Sequence, residues 1–327
     1  MFQGLLQAWE TSRKKMISSG VNVSKLSITL TLLLCLGQIP VYATHAAENI
    51  VIEEHSKVVT SDATTNDPGQ VEIWSSYSLQ GGKFAWKSNG SREKRGTYLT
   101  QTFDSQVTIG LYEGVDIGII QWYQHTLDKN NNYNEFRDMM DPDTGSSMED
   151  ETEGPTHGFG WGDLGIAGRW RFYDSAEKRL EIAYMPTIFV PTGRRSNLDH
   201  IGASQGYTSL DNSFAFTKDI GRWNGTINLG FNSPLAHWER TGHYYGTAHS
   251  NFAVGYQVLS WLQPEAEFIY LHDFGGHGAT ANLASVVLGF IMPFGDHFRL
   301  ELGVQQDVFG SNKVQTTSGI FSFALLT

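Results

Sequence analysis

The sequence predicts an all-β fold: a transmembrane antiparallel up-and-down β-barrel of about twelve strands behind a cleaved signal peptide. Three observations predict it. From Gln70 onward apolar residues recur on every second position, which is the strand period. The connections between these stretches alternate short and long, the asymmetry of barrels with tight turns on one side of a membrane and long loops on the other. The only long apolar run is N-terminal and too short to span a bilayer, which excludes a bundle of membrane helices.

The N-terminus reads as an export signal. Arg13, Lys14, Lys15 and Lys25 precede the apolar run "LSITLTLLLCL", and "GQIPVYA" then supplies a breaker and small residues suited to cleavage after Ala43. Met16 is an alternative start. Cys35, the only cysteine, leaves with residues 1–43, so the mature chain has no thiol and no disulfide. Cleavage removes four bases and one acid. The 19 bases and 33 acids that remain give a net charge of −14, which argues against nucleic acid as a partner. Residues 44–69 are polar, acidic and free of aromatics. They are expected to form a flexible periplasmic leader, with a small plug built on "NIVI" as the alternative.

The barrel is expected over 70–327. Strand 1, Gln70–Leu79, sets Val71, Ile73, Tyr77 and Leu79 against polar neighbours. Tyr98–Leu111 and Val115–His125 follow the same rule, separated only by "YEG", a tight hairpin. The fourth strand, Gly160–Tyr173, alternates Leu164, Ile166, Trp170 and Phe172 with Asp163, Arg169 and Arg171; Gly165 and Ala167 share the charged phase and leave room for a partner such as Glu181. Strands 5 to 8 are expected at Leu180–Val190, Tyr207–Lys218, Trp223–Asn232 and Tyr245–Leu259. Strands 9 to 12 are expected at Pro264–Leu271, Asn282–Met292, Phe298–Val308 and Gly319–Leu326. Short links such as "DIGR" and "PFGDH" alternate with long ones such as "GGKFAWKSNGSREKRG", 126–160 and "PTGRRSNLDHIGASQG".

A half-buried soluble strand also alternates, so a secreted β-sandwich or jelly roll is the competing fold. Three features favour a membrane. The apolar phase carries almost no polar residue, with Asn212 the clearest exception, because a charge facing hydrocarbon costs roughly 2–4 kcal/mol. The other phase is rich in Gly, Ser, Thr and Asn with spaced charges, as a wet lumen requires. Tyr112, Phe172, Tyr173, Trp223, Trp261, Phe294 and Phe298 gather near the short turns, where amphipathic rings suit the headgroup level.

The stretches "HGFGWGDLGIAGRWRFY", "LEIAYMPTIFVPTGRR" and "WNGTINLGFN" resemble the outer-membrane barrel family named for the meta-pathway of phenol degradation. The resemblance rests on Gly162-Asp163-Leu164 and Pro191-Thr192-Gly193 and is densest over 158–232. It implies a channel or transporter of the Gram-negative outer membrane, with hydrophobic or aromatic compounds as favoured cargo. It brings no catalytic residues. The ending "FALLT" departs from the usual terminal aromatic.

The pore-lining candidates are the charges of the inward phase: Glu72, Asp104, Asp116, Asp163, Arg169, Arg171, Glu181, Glu265, Glu267, Arg299, Glu301 and Asp307. They are expected to pair partly across a narrow conduit. Nine acids against three bases predict a mild cation preference. The run 126–160 carries nine acids and is read as an external loop, either solvated, bridged to lipopolysaccharide through divalent cations, or folded inward as a constriction. Seven histidines, His125, His157, His200, His237, His243, His272 and His277, fall in or beside external loops without ligand spacing, so neither metal nor cofactor is expected. "AHSN" puts His249 and Ser250 on opposite faces of a strand, which argues against a barrel lipid-modifying enzyme. A non-transporting structural or adhesive surface barrel is the other alternative. The expected partners are outer-membrane lipid and lipopolysaccharide, the barrel-assembly machinery and a small solute.

Overall fold

The computed structural model describes residues 56–129, 156–196, 200–235, 244–275 and 280–327, all within the compact unit Val51–Thr327. The signal segment 1–43, the first part of the leader, most of the acidic loop, and His237, His243 and His277 lie outside the described residues.

One antiparallel sheet closes on itself. Its strands are β1 Val71–Trp86, β2 Arg92–Tyr112, β3 Val115–Asp128, β4 His157–Trp161, β5 Leu164–Ser175, β6 Leu180–Val190, β7 Ser209–Ile220, β8 Trp223–Pro234, β9 Tyr244–Tyr256, β10 Gln263–Gly275, β11 Ala281–Phe294, β12 Phe298–Ser311 and β13 Lys313–Leu326. Both β4 and β5 pair with β3, one above the other, so they form a single stave broken at Gly162-Asp163. The barrel therefore has twelve staves in sequence order. Closure comes from β1 against β13, from Glu72 opposite Leu326 to Trp86 opposite Lys313. Every stave has two neighbours, and no ladder edge is left to lipid.

The strands run past the segments expected from sequence. The run "GGKFAWKSNGSREKRG" is not a long loop. Phe84 to Trp86 pair with Arg92 to Lys94, and a turn over 87–91 closes with Lys87 N donating to Ser91 O at 2.8 Å. Likewise β13 begins at Lys313, after a one-residue turn at Asn312 whose φ of 52° suits asparagine. Both ladders continue beyond the apolar band, where water bathes both faces and the period-two signal fades.

The two faces are sorted as the alternation requires. Ile166, Trp170 and Phe172 of β5 are exposed, as are Ile117 and Ile119 of β3 and Leu288 and Phe290 of β11. Asn212 is satisfied on that face: it accepts a hydrogen bond from the Tyr184 hydroxyl at 2.6 Å. Tyr112, Trp223, Trp261 and Phe294 ring the short-turn end. Phe84, Phe159, Trp161, Tyr245, Phe274 and Phe309 ring the other. Two aromatic girdles bound the apolar band, the arrangement of a bilayer-spanning barrel.

Buried apolar groups lie inside. One cluster joins Val58 to Ile269, Val287 and Ile291, and another joins Ala63 to Ala183, Met185 and Ala215. Both are built around chain that precedes β1. Residues 56–69, the described part of the segment expected as a leader, follow an irregular path inside the barrel. The reason is physical: their polar backbone finds donors and acceptors in the lumen, and small inward residues leave them space.

Candidate functional site

The segment 56–69 forms a floor across the short-turn end of the lumen. Gly69 N donates to Gly110 O at 2.8 Å beside the β2–β3 turn. Asn66 N faces both carboxylate oxygens of Asp116 at 3.2 Å. Arg169 donates to Thr64 O and lies 3.7 Å from Asp62. Ala63 N donates to Thr217 Oγ1 at 2.9 Å. The far end is held by two glutamates of β10. Val58 N donates to Glu265 at 3.0 Å; Val59 N and Thr60 N donate to the two oxygens of Glu267 at 2.8 Å each, and the Thr60 hydroxyl adds a bond of 2.5 Å. Lys57 is bonded to Asn224 and sits 4.0 Å from Glu265, so a buried cation accompanies the two acids.

Glycine makes this path possible at two places. A Cβ on Gly289 or Gly303 would lie 2.8 or 2.7 Å from the Val58 side chain, and one on Gly110 would lie 2.2 Å from Asp67 O. Gly289 and Gly303 face each other in the β11–β12 ladder. Together they form a socket for Val58, which is only 2% exposed.

The candidate charges are therefore mostly occupied. Arg171 and Glu181 pair at 3.2 Å, the partnership expected from sequence, and Thr64 also donates to Glu181 at 3.0 Å. Arg299 bridges Glu72 and Glu301 at 2.8 Å each. Asp307 accepts from Ser285 at 2.6 Å and from Thr316 N at 2.8 Å. Asp104 alone of the twelve has no hydrogen-bond or ion-pair partner among the described residues. Gly165 does not serve Glu181; Phe189 and Ile120 occupy its space, with a Cβ there 3.0 and 3.1 Å from them.

Asp163 does a different task from a pore wall. It is 0% exposed. Its oxygens accept from Gly193 N at 3.3 Å and Gln205 N at 2.9 Å, so it holds both ends of the loop between β6 and β7. Leu164 N donates to Thr192 Oγ1 at 3.0 Å, and Arg194 N to Trp161 O at 3.0 Å. The Gly-Asp-Leu and Pro-Thr-Gly motifs thus meet as the two halves of one clasp. A Cβ on Gly193 would lie 2.5 Å from Trp161 O, and one on Gly158 would lie 1.9 Å from Ile201 O. His200 is buried in this clasp, bonded to the Phe159 backbone at 2.7 Å, and is no surface residue. In the same loop, burial pushes the Tyr207 phenol well above its ordinary value.

Sequence reasoning missed an apolar strip on the inner wall. Trp122 and Phe189 meet edge to face with ring centroids 5.9 Å apart, beside Ile120 and Met185. Their signal was present as apolar residues in the polar phase of β3 and β6. On the neighbouring β7, Asp211 pairs with His249 of β9 at 2.9 Å. Among the described residues no group of three or more His, Cys, Asp or Glu is placed to hold a metal ion.

A closed twelve-stave barrel, apolar outside and polar inside with two aromatic girdles, is a transmembrane barrel of the outer-membrane type. The chain matches the model of the family described as "Putative MetA-pathway of phenol degradation" over residues 76–323, and it belongs to that family. A search of curated protein sequences finds no match. Among solved structures it is similar to the COG4313 outer membrane channel from Pseudomonas putida F1, at TM-score 0.67 and 11% identity, over 83% of this chain and 100% of that one. Looser likenesses are to the translocator domain of the autotransporter NalP from Neisseria meningitidis (TM-score 0.42, 11% identity, 80% and 90% covered) and to the transport unit of AIDA-I from Escherichia coli (TM-score 0.43, 12% identity, 83% and 94% covered). The first likeness supports the fold; the other two carry no argument.

Proposed function

We propose that this protein is an outer-membrane channel through which small solutes pass passively, with hydrophobic or aromatic compounds as favoured cargo. One observation carries the reading: a closed barrel whose bore holds polar groups and an apolar strip, narrowed at one end by residues 56–69. A purely structural barrel has no need of an apolar strip on the inner wall. Family membership and the likeness of fold to the outer membrane channel of P. putida support the same reading. Residues 1–43 are inferred to be removed on export, and the short turns to face the periplasm. Lipopolysaccharide and the barrel-assembly machinery follow as the partners of such a barrel.

The test is solute influx into proteoliposomes. Single-ring aromatics should enter faster than into protein-free vesicles, and faster relative to sugars of similar size than their lipid partitioning explains. Influx equal to that of protein-free vesicles would leave a structural or adhesive barrel in place of a channel.

A further inference from the structure

Asp104 of β2 faces the lumen with a carboxylate that has no hydrogen-bond or ion-pair partner among the described residues. Its neighbours explain why. On β1 it stands opposite Ser76, whose hydroxyl accepts from Ser322 at 2.9 Å. On its own strand the Gln106 amide donates to Thr108 Oγ1 at 2.8 Å instead. The inward arginines are held by other groups: Arg169 by Thr64 O and Asp62, Arg171 by Glu181, and Arg299 by Glu72 and Glu301. A half-buried carboxylate, which when ionised only accepts, is left without a donor.

On its other side stands an aromatic. Asp104 pairs with Trp122 across the β2–β3 ladder, and directly opposed residues hold their Cβ atoms about 4.5–5.5 Å apart. The break between β4 and β5 makes room for the indole: a Cβ on Gly162 would lie 1.9 Å from its Cε2 and 2.0 Å from its Nε1. Beyond it, Phe189 reaches from β6 over Gly165, where a Cβ would lie 3.0 Å from the phenyl Cε1 and 3.1 Å from Ile120. The phenyl and indole centroids are 5.9 Å apart. Carboxylate, indole and phenyl therefore follow one another along one arc of the inner wall. Gln106, Ile120 and Phe189 also line the lumen cavity of about 260 Å³, so the arc borders open space. A cation within about 6 Å of an indole face is attracted by the ring, and a carboxylate beside it adds charge-assisted hydrogen bonds. A bare inorganic ion would use Asp104 alone. The apolar arc beyond it suits a cation that carries carbon behind its charge.

We propose that this arc is a binding site for small alkylammonium ions, with the ammonium between Asp104 and Trp122 and the alkyl chain along Phe189 and Ile120. The proposal rests on the channel reading above and adds a class of solute that the lumen holds. Burial of the chain supplies affinity. The carboxylate supplies discrimination, because it is left without its donor when the charge is missing.

The experiment is calorimetric titration of the full-length mature barrel in phosphatidylcholine nanodiscs, with protein-free nanodiscs subtracted, at about pH 8, where carboxylate and ammonium are both ionised. The probes are n-hexylammonium, n-hexanol as the chain without charge, and methylammonium as the charge without chain. Hexylammonium should bind at a single site per barrel, at least about tenfold tighter than either partial probe, the factor that one charge-assisted contact supplies. Asp104→Asn should lower hexylammonium affinity to that of hexanol and leave hexanol unchanged, whereas Asp104→Glu, which keeps the charge, should retain most of it. Phe189→Ala should weaken hexylammonium and hexanol alike. Each variant is accepted only if it keeps the heat-modifiable mobility of a folded barrel. Equal affinity for hexylammonium and hexanol, or hexylammonium binding unchanged in Asp104→Asn, would overturn the site. Methylammonium binding as tightly as hexylammonium would overturn it too, since the carboxylate would then take any cation and the apolar arc would add nothing. Wild-type proteoliposomes that pass solutes while hexylammonium binds no better than hexanol would refute this site and leave the channel standing. Absent influx with specific hexylammonium binding would do the reverse.

Discussion

At the scale of single residues, the glycines of the inward phase and one aspartate explain most of the lumen. Asp163 is buried and satisfies two loop amides, Gly193 N and Gln205 N. Replacing it with alanine leaves two buried donors unmet, at a cost of about 1–3 kcal/mol for each. Asp163→Ala should therefore lower the urea midpoint of unfolding and open the loop at Arg194 and Arg195 to trypsin, while Asp104→Ala, at a carboxylate without a partner, should leave both unchanged. Unaltered trypsin resistance in Asp163→Ala would mean that the clasp is held by the Thr192 and Arg194 contacts alone. Gly303 offers a complementary test. Gly303→Val puts a side chain where Val58 sits, 2.7 Å away at its first atom. The barrel wall itself has room, so the variant should fold and lose the Val58 contact, seen as faster hydrogen exchange at the amides of Val58 to Thr60.

At the scale of the strand, the assignment of faces is the claim that carries the fold. Ile166 of β5 is exposed on the apolar side, and Ala167 lines the lumen cavity. Ile166→Arg should cost roughly 2–4 kcal/mol in the bilayer midplane and reduce assembly, measured as the folded fraction on an unheated gel. Ala167→Arg should assemble far better, because a lumen admits charge; equal losses would mean the faces are reversed. The staves were legible in sequence because lipid enforces the alternation residue by residue. β6 has the bounds the sequence predicts, Leu180–Val190, since apolar residues fill its outward phase to both ends. The tip of β1 and β2 was not legible, because beyond the girdle both faces are wet and pairing no longer imposes a pattern. The floor was not legible either. A polar, acidic stretch without aromatics reads the same whether it is solvated outside or held by carboxylates within. What could have found it was the inward phase, where Gly289, Gly303, Ala183 and Ala215 are smaller than an empty lumen needs. For the charges, sequence placed them on the inner wall but could not say that a chain segment and a loop would occupy them.

At the scale of the molecule, the floor sets what the channel can pass. Eight of the nine inward acids are engaged by the floor, by Arg171 and Arg299, by Asp307's neighbours or by the clasp, which leaves few free charges along the bore. Reversal potentials in planar bilayers under a salt gradient should therefore show only a weak cation preference, and an anion-selective current would contradict the acid excess outright. Removing the floor changes this balance. A twelve-stave barrel is wider than the eight-stave kind that side chains fill, so its bore is narrow only where something occupies it. Deleting residues 56–69, or replacing them with Gly and Ser at equal length, vacates the β10 glutamates and Asp116 together. Both variants should fold, since no strand ladder is touched, and both should show a several-fold rise in conductance. Their cation preference should be stronger, because Asp116, Glu265 and Glu267 then face water with no amide partner. Glu267→Gln should fall between wild type and deletion: it removes the charge that binds Val59 N and Thr60 N but keeps one carbonyl acceptor. Conductance unchanged across all three variants would mean that the bore is set elsewhere, with the clasped loop between β6 and β7 the next element to remove.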